Sequence, residues 1–115
     1  MNKISTPYLE DILESISRIE QYLGKIDNNK KVFEEDVEKQ DSVIRRIEII
    51  GEATKRLEED FRDQYSKIPW RKMAGMRDVL IHEYDLIDLD LVWEVAIKDL
   101  PILKESVQNV LDQIS

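Results

Sequence analysis

The chain has 115 residues, of which 42% are hydrophobic and 37% are charged, and its formal net charge is −8. With only three glycines and three prolines, this composition predicts one domain of amphipathic helices over residues 1–115, with one hydrophobic core. The absence of cysteine excludes disulfides, thiolate catalysis and cysteine-ligated metals, and a single histidine leaves little for a histidine-based metal site. No run approaches the ~20 apolar residues that span a bilayer, and the first residues lack the apolar region of a signal peptide, so we expect a cytoplasmic protein.

A first helix is predicted to begin at Thr6 and Pro7, which suit the N-cap and the first helical position, and to end just before Gly24. Apolar residues between these limits recur at steps of three and four, which is typical of a helix buried on one side. They are Leu9, Ile12, Leu13, Ile16, Ile19 and Leu23. A polar connection follows at residues 25–31.

The second predicted helix begins between Phe33 and Val37 and ends near Leu57 or Phe61. Its apolar stripe is nearly heptad-like, which favours the core of an intramolecular bundle over a surface for a partner. The stripe comprises Val37, Ile44, Ile47, Ile50, Gly51 and Leu57. Because glycine costs a helix about 1 kcal/mol relative to alanine, Gly51 suggests that another helix approaches closely there.

Helical periodicity fades over residues 63–67, and Pro69 restarts a helix at Trp70. We expect Trp70 to be a core or interface anchor, because an indole buries a large area and carries one donor. Base stacking is the alternative. Gly75 would let the chain bend or pack closely just before the motif described below.

The last helical pattern follows Asp88, which suits an N-cap, and runs from Val92 to Ile114. It continues through Pro101, which removes one hydrogen bond and clashes with the preceding turn, so we expect a kink or a break at Leu100–Pro101. Strand-like alternation of any length is absent. The sequence therefore predicts an all-α, up-and-down bundle of four to five helices.

The only histidine lies within residues 76–85, on a predicted helix. Arg77 and Tyr84 are seven residues apart and therefore share a helical face. Asp78 and His82 lie on a neighbouring face. Arg77 and His82 are five residues apart and point in different directions. If both act on one substrate, either the helix is distorted here or a second copy of the chain supplies one of them.

The spacing of Arg77, His82 and Tyr84 resembles the motif of the HepT-like toxins of the HEPN superfamily, in which histidine follows arginine after four residues and tyrosine follows after one more. Further stretches resemble the same family in the same order, so the resemblance covers most of the chain. They are residues 50–53, 68–70, 75–77, 87–88, 92–93 and 100–101. An isolated arginine–histidine pair occurs by chance in many helices, whereas an ordered series is more specific. The chain departs from many relatives at Asp78, where they carry asparagine.

The resemblance implies a homodimeric endoribonuclease with Arg77 and His82 as catalytic residues. These residue types suit that chemistry, because an imidazole exchanges protons near neutral pH and a guanidinium matches phosphate oxygens. Together they suit metal-independent cleavage of RNA by its own 2′-hydroxyl, for which no cofactor is expected. The reaction is best served by two proton-transfer groups, and each chain has one histidine. A symmetric dimer would bring two His82 and two Arg77 into one cleft.

Asp78 and Tyr84 would support and control this pair. The Asp78 carboxylate, one turn before His82, would fix the imidazole tautomer and raise its pKa, although a surface ion pair is the alternative. The resemblance implies that Tyr84 accepts AMP groups from ATP, transferred by a minimal nucleotidyltransferase antitoxin of a type VII toxin–antitoxin system. The added bulk and phosphate charge would exclude RNA. From its residue type alone, Tyr84 would be a partly buried aromatic.

The net charge of −8 argues against indiscriminate binding of nucleic acid. However, residues 62–77 hold five basic residues against one acidic residue. We expect Lys67, Arg71 and Lys72 in this basic stretch to contact RNA weakly beside the motif, because a local positive field can hold a phosphodiester. Solvated surface charges are the alternative.

Two other functions are open on the sequence. A non-catalytic helical protein-interaction module would use the acidic surface and the heptad-like helix to bind partners, with a vestigial motif. A metalloenzyme is poorly supported, because the chain has no His-x-x-x-His or Glu-x-x-His pairing. The change His82→Ala separates the ribonuclease from the interaction module. It should abolish RNA cleavage by a ribonuclease but leave the partner binding of an interaction module intact.

Overall fold

The computed structural model describes residues 5–82 and 87–114, and for residues 77–82 it describes the backbone alone. Within these ranges all regular structure is helical and no strand occurs, which confirms the predicted all-α class. The elements are α1 (Thr6–Gly24), α2 (Lys30–Glu35), α3 (Val37–Arg56), α4 (Glu59–Gln64), α5 (Trp70–His82), α6 (Leu89–Glu94), a π-helical segment (Val95–Asp99) and α7 (Leu100–Ile114). Four α-helices have 13 to 20 residues and three have six. The short helices, which periodicity alone does not resolve, raise the number in the described ranges above the predicted four to five.

Packing centres on α3, whose most extensive contacts are with α1 and α5, while α1 also contacts α7. The predicted stripe of α1 lies in the core, where five of its residues are buried: Leu9, Ile12, Ile16, Ile19 and Leu23. On α3, Ile47, Ile50 and Gly51 are buried, as expected of an intramolecular core. Val37 is the first residue of α3 and is 64% exposed, so the predicted stripe began too early.

Side-chain caps set the boundaries that periodicity left open. Asn29 caps α2 and Asp36 caps α3, each accepting a hydrogen bond from the backbone N–H three residues on, at 3.2 and 3.0 Å. The third helix therefore begins at Val37, at the late end of the predicted window. The first helix extends one residue beyond its prediction at each end, since Ser5 is the N-cap and Gly24 is the last helical residue.

Trp70 begins α5 directly after Pro69, as predicted. Its side chain is 5% exposed, and the indole Nε1 donates a hydrogen bond to the carbonyl oxygen of Tyr65 at 3.0 Å. The Trp70 ring also lies 6.2 Å from that of Phe61, measured between centroids. The role of Trp70 as a core anchor is thus confirmed, and its burial leaves little indole surface for base stacking.

A break at Leu100–Pro101 is not observed, because α7 runs from Leu100 through Pro101, and the irregular backbone lies just before it, in the π-helical segment. The preceding turn is widened instead: the backbone N–H of Leu100 bonds to the carbonyl of Val95, five residues back. Pro101 has no N–H to donate, and a π-helical turn just before it accommodates the missing bond.

Candidate functional site

The motif lies on the second half of α5. The backbone positions of Arg77, Asp78 and His82 are on this helix, which is regularly α-helical from Trp70 to His82. Five residues of regular helix rotate the chain by about 140° in net terms, so positions 77 and 82 lie on different sides of the axis. The helical distortion that would bring them together within one chain is not observed. Their side chains, and Tyr84 altogether, lie outside the described residues.

The first half of α5 is anchored in the core by Met73, which is fully buried. Beyond it, Gly75 and Met76 line an apolar groove of about 340 Å³ together with Leu91 and Val95. A Cβ at Gly75 would meet no atom of the described residues within 4 Å. The expectation that Gly75 allows close packing or a bend is therefore wrong for this part of the chain, because the helix is continuous there and the space beside Gly75 is open.

The structure separates the predicted basic stretch into two groups. Lys67 and Lys72 line a groove that includes Ser106 of α7. The ammonium of Lys72 lies 3.5 Å from the carboxylate of Asp99, so Lys72 links α5 to the π-helical segment. A pair this exposed contributes little to stability, at most about 1 kcal/mol. Arg71 lies elsewhere, in a cleft between α4 and α5.

This α4–α5 cleft has a volume of about 400 Å³. It is lined by Glu59, Arg62, Asp63, Ser66, Ile68, Pro69, Trp70 and Arg71. In the sequence, Arg62 is one charge of the basic stretch. In the structure, the Nε of Arg62 is shielded from solvent and has no hydrogen-bond partner among the described residues. No pattern in the sequence signals this burial, which arises from the packing of α4 against the start of α5.

Two observations bear on other classes of site. Among residues 5–76 and 87–114, whose side chains are described, no three aspartate or glutamate residues are grouped closely enough to hold a metal ion. None of the helices in that part of the chain combines the length and apolar character needed to cross a membrane.

Comparisons with known proteins converge on one family. The family model described as "Ribonuclease HepT-like" matches residues 12–110. A Thermococcus cleftensis protein named "Probable ribonuclease HepT" is 43% identical over 107 residues, which cover 90% of this chain and 93% of that protein. A Caldanaerobacter subterraneus protein, provisionally named as an RNase, is 38% identical over 115 residues, with 96% and 97% coverage.

A longer relative from Methanocaldococcus jannaschii is 47% identical over 114 residues. Its name combines a gamma-glutamylcyclotransferase with a provisional RNase. The alignment covers 99% of this chain but 50% of that protein, so the chain spans about half of this relative's length. No solved structure matches the chain significantly.

Proposed function

Because the chain belongs to the HepT-like ribonuclease family, we propose that it is a metal-independent endoribonuclease and the toxin of a type VII toxin–antitoxin pair. The observation that carries the proposal is the family match over residues 12–110, which includes Arg77, His82 and Tyr84 in the family's order. The regular backbone of α5 supports it, because it gives Arg77 and His82 defined positions on one rigid element.

The proposed reaction uses the substrate's own nucleophile. His82 accepts the proton of an RNA 2′-hydroxyl as that oxygen forms a bond to phosphorus. The bond from phosphorus to the 5′ oxygen breaks, and an imidazolium donates a proton to the departing oxygen. The guanidinium of Arg77 stabilises the added negative charge on the phosphorane. The products are a 2′,3′-cyclic phosphate and a 5′-hydroxyl.

A homodimer is part of this proposal. One chain supplies one histidine, whereas base and acid roles are best filled by two. In addition, the continuous helix holds positions 77 and 82 about 140° apart, so one chain does not readily turn both toward one phosphate. A two-fold axis near the motif would pair Arg77 of one copy with His82 of the other.

Mixing inactive subunits tests this arrangement. After subunit exchange between Arg77→Ala and His82→Ala proteins, about half of the dimers are mixed, and each holds one complete Arg77–His82 pair formed across the interface. At most about a quarter of wild-type activity should return, because each mixed dimer holds one such pair and one His82, whereas the wild-type dimer holds two of each. If both residues act within one chain, no activity returns.

Asp78 is proposed to act through His82 as a positioning residue. A carboxylate one turn away favours the imidazolium and so raises the pKa of His82. The change Asp78→Asn should therefore shift the pH–rate profile toward lower pH while retaining activity, because the charge is lost but a hydrogen-bond acceptor stays. An unchanged profile, with wild-type activity, would leave Asp78 without this role.

Tyr84 is proposed as the control point. A partner nucleotidyltransferase would transfer AMP from ATP to the Tyr84 hydroxyl, releasing pyrophosphate, and the new phosphate would repel an RNA phosphate from Arg77 and His82. The change Tyr84→Phe should leave RNA cleavage intact but make it insensitive to the antitoxin and ATP. Mass spectrometry of the wild-type chain would show the added AMP, and its absence would contradict this step.

The change His82→Ala tests the function itself. It should abolish cleavage of RNA and toxicity to the host cell while the circular dichroism spectrum stays helical. If the chain is instead a non-catalytic interaction module, toxicity and partner binding persist in His82→Ala, and RNA cleavage is absent from the wild type as well.

A further inference from the structure

The α4–α5 cleft is lined by two arginines that have no partner in the part of the chain whose side chains are described. Arg62 of α4 and Arg71 of α5 both line it, and neither forms an ion pair or a side-chain hydrogen bond with a residue that the structure describes. For Arg62, the Nε is also shielded from solvent. A buried donor on a charged group is costly when no acceptor is present. A ligand does not reach the shielded Nε itself, but an anion bound in the cleft would supply the opposite charge that the Arg62 guanidinium lacks among the described residues.

The chemistry of a guanidinium indicates which kind of ligand group would bind the arginines of the cleft. Two guanidinium groups on one cleft match the oxygens of a phosphate, to which arginine forms paired, charge-assisted hydrogen bonds. The contrast with Lys72 is informative, because that side chain already has Asp99 as its partner. Arg62 and Arg71 are thus the members of the basic stretch that are both available and adjacent to one cleft.

A bare phosphate does not fit the rest of the lining. The carboxylates of Glu59 and Asp63 face the same cleft, and neither is paired with a residue in the described part of the chain. They would repel a simple anion. A nucleotide satisfies both kinds of group, since it offers phosphate oxygens to the arginines and ribose or base donors to the carboxylates. The volume of about 400 Å³ also suits a ligand of this size.

The position of the cleft relates it to the motif. Arg71 precedes His82 by eleven residues on the continuous helix α5, so their backbone positions lie within about 20° of each other around the axis and about 16 Å apart along it. Arg77, six residues after Arg71, lies about 120° away around the same axis. An RNA strand with one phosphodiester at His82 can therefore follow this side of the helix and place a nucleotide in the cleft a short distance along the strand.

We propose that the α4–α5 cleft binds one nucleotide of single-stranded RNA a short distance along the strand from the cleaved phosphodiester. Arg62 and Arg71 contact its phosphate, and Glu59 and Asp63 accept hydrogen bonds from its ribose or base. The inference rests on the proposed ribonuclease function, and it adds a substrate-binding site outside the family's motif.

Binding of a fluorescein-labelled, single-stranded RNA oligonucleotide, followed by anisotropy in a His82→Ala background, tests the arginines without cleavage. Adding Arg62→Gln should weaken binding about tenfold and reduce the slope of log affinity against log salt by about 0.7, the value for one lost phosphate contact. The matched control is Arg45→Gln on α3, where Arg45 pairs with Glu48 at 3.2 Å. This control removes the same charge and should change affinity by less than about twofold. Equal effects of the two changes would overturn the proposal.

The change Asp63→Ala distinguishes a nucleotide from a simple anion. If the carboxylate accepts a hydrogen bond from the ligand, its removal weakens binding about threefold. If the cleft attracts RNA by charge alone, removing a negative charge strengthens binding. Equal or tighter binding by Asp63→Ala would therefore overturn the assignment of a nucleotide.

Steady-state kinetics with His82 intact separate this inference from the proposed function. We expect Arg62→Gln to raise KM with little change in kcat, because the cleft holds RNA away from the reacting bond. A normal KM for Arg62→Gln in an active enzyme would contradict nucleotide binding by the cleft but not the ribonuclease function. RNA binding that depends on Arg62, in a wild-type chain that cleaves no RNA, would contradict the ribonuclease function but not nucleotide binding by the cleft.

Discussion

Replacing Gly75 with alanine should stabilise the protein. Gly75 is an interior residue of α5, its φ is not in the positive region, and a Cβ there would meet no described atom within 4 Å. The new methyl group therefore causes no clash and no backbone strain. The substitution reduces the conformational entropy of the unfolded chain and gains helix propensity, together worth about 1 kcal/mol.

The expected change in Tm follows from the size of the chain. An unfolding entropy of about 2.1 cal/mol/K per residue amounts to roughly 240 cal/mol/K for 115 residues, so 1 kcal/mol raises Tm by about 4 °C. Thermal unfolding followed by circular dichroism at a fixed protein concentration would measure it. Gly24→Ala is the matched control, because a Cβ at Gly24 also meets nothing within 4 Å. Gly24 is the last residue of α1, where helix propensity counts for less, so its rise should be under half as large.

A fall in Tm for Gly75→Ala, with the Tm of Gly24→Ala unchanged or slightly higher, would contradict the expected stabilisation. It would mean that the space beside Gly75 is filled in solution, or that α5 is not a regular helix at this point. Either result would also weaken the argument that the backbone at Arg77 and His82 is held on one continuous helix.

Three further changes test the packing, the caps and the charges of the fold. Met73→Ala should lower the free energy of unfolding in urea by about 3 kcal/mol, because the side chain is fully buried, whereas Ile102→Ala, at a position 68% exposed, should cost under about 0.5 kcal/mol. Asp88→Ala should cost about 1 kcal/mol in the same assay and Asp88→Ser much less, because the carboxylate caps α6 through bonds of 2.9 and 3.2 Å. A hydrogen bond to Asp90 raises the pKa of Lys30, so this contribution to stability is complete below the ordinary lysine pKa and is lost as pH rises through the raised value. An NMR titration of the Lys30 ammonium that shows no upward shift relative to Lys30 in an Asp90→Asn variant would contradict it.

Sequence periodicity predicted the parts of the fold that depend on local spacing. The buried face of α1, the start of α5 at Trp70 and the cap at Asp88 all follow from residue type and position along one helix. The π-helical turn before Pro101 was not predictable from residue type and position, because a proline signals a lost hydrogen bond but not how the backbone accommodates the loss. A broken helix and a widened turn both accommodate it, and the packing of the neighbouring helices decides between them.

The residues of the candidate site were predictable from the sequence, but the surroundings of Gly75 and Arg62 were not. The identity and order of Arg77, His82 and Tyr84 are sequence properties, and the family match over residues 12–110 covers their positions. The open space beside Gly75 and the shielded Nε of Arg62 were not predictable, because both depend on which helices pack nearby. A glycine in a helix and an arginine in a basic stretch look the same in the sequence whether their surroundings are open or closed.

The proposed metal-independent ribonuclease mechanism is tested by incubating RNA with the purified wild-type chain in excess EDTA and identifying the product ends. We expect cleavage without added metal that leaves 2′,3′-cyclic phosphate and 5′-hydroxyl ends, and no cleavage by His82→Ala. Cleavage that requires a divalent ion, or that leaves 3′-hydroxyl ends, would contradict the 2′-hydroxyl mechanism. Absence of any cleavage by protein whose mass shows an unmodified Tyr84 would contradict the ribonuclease function itself.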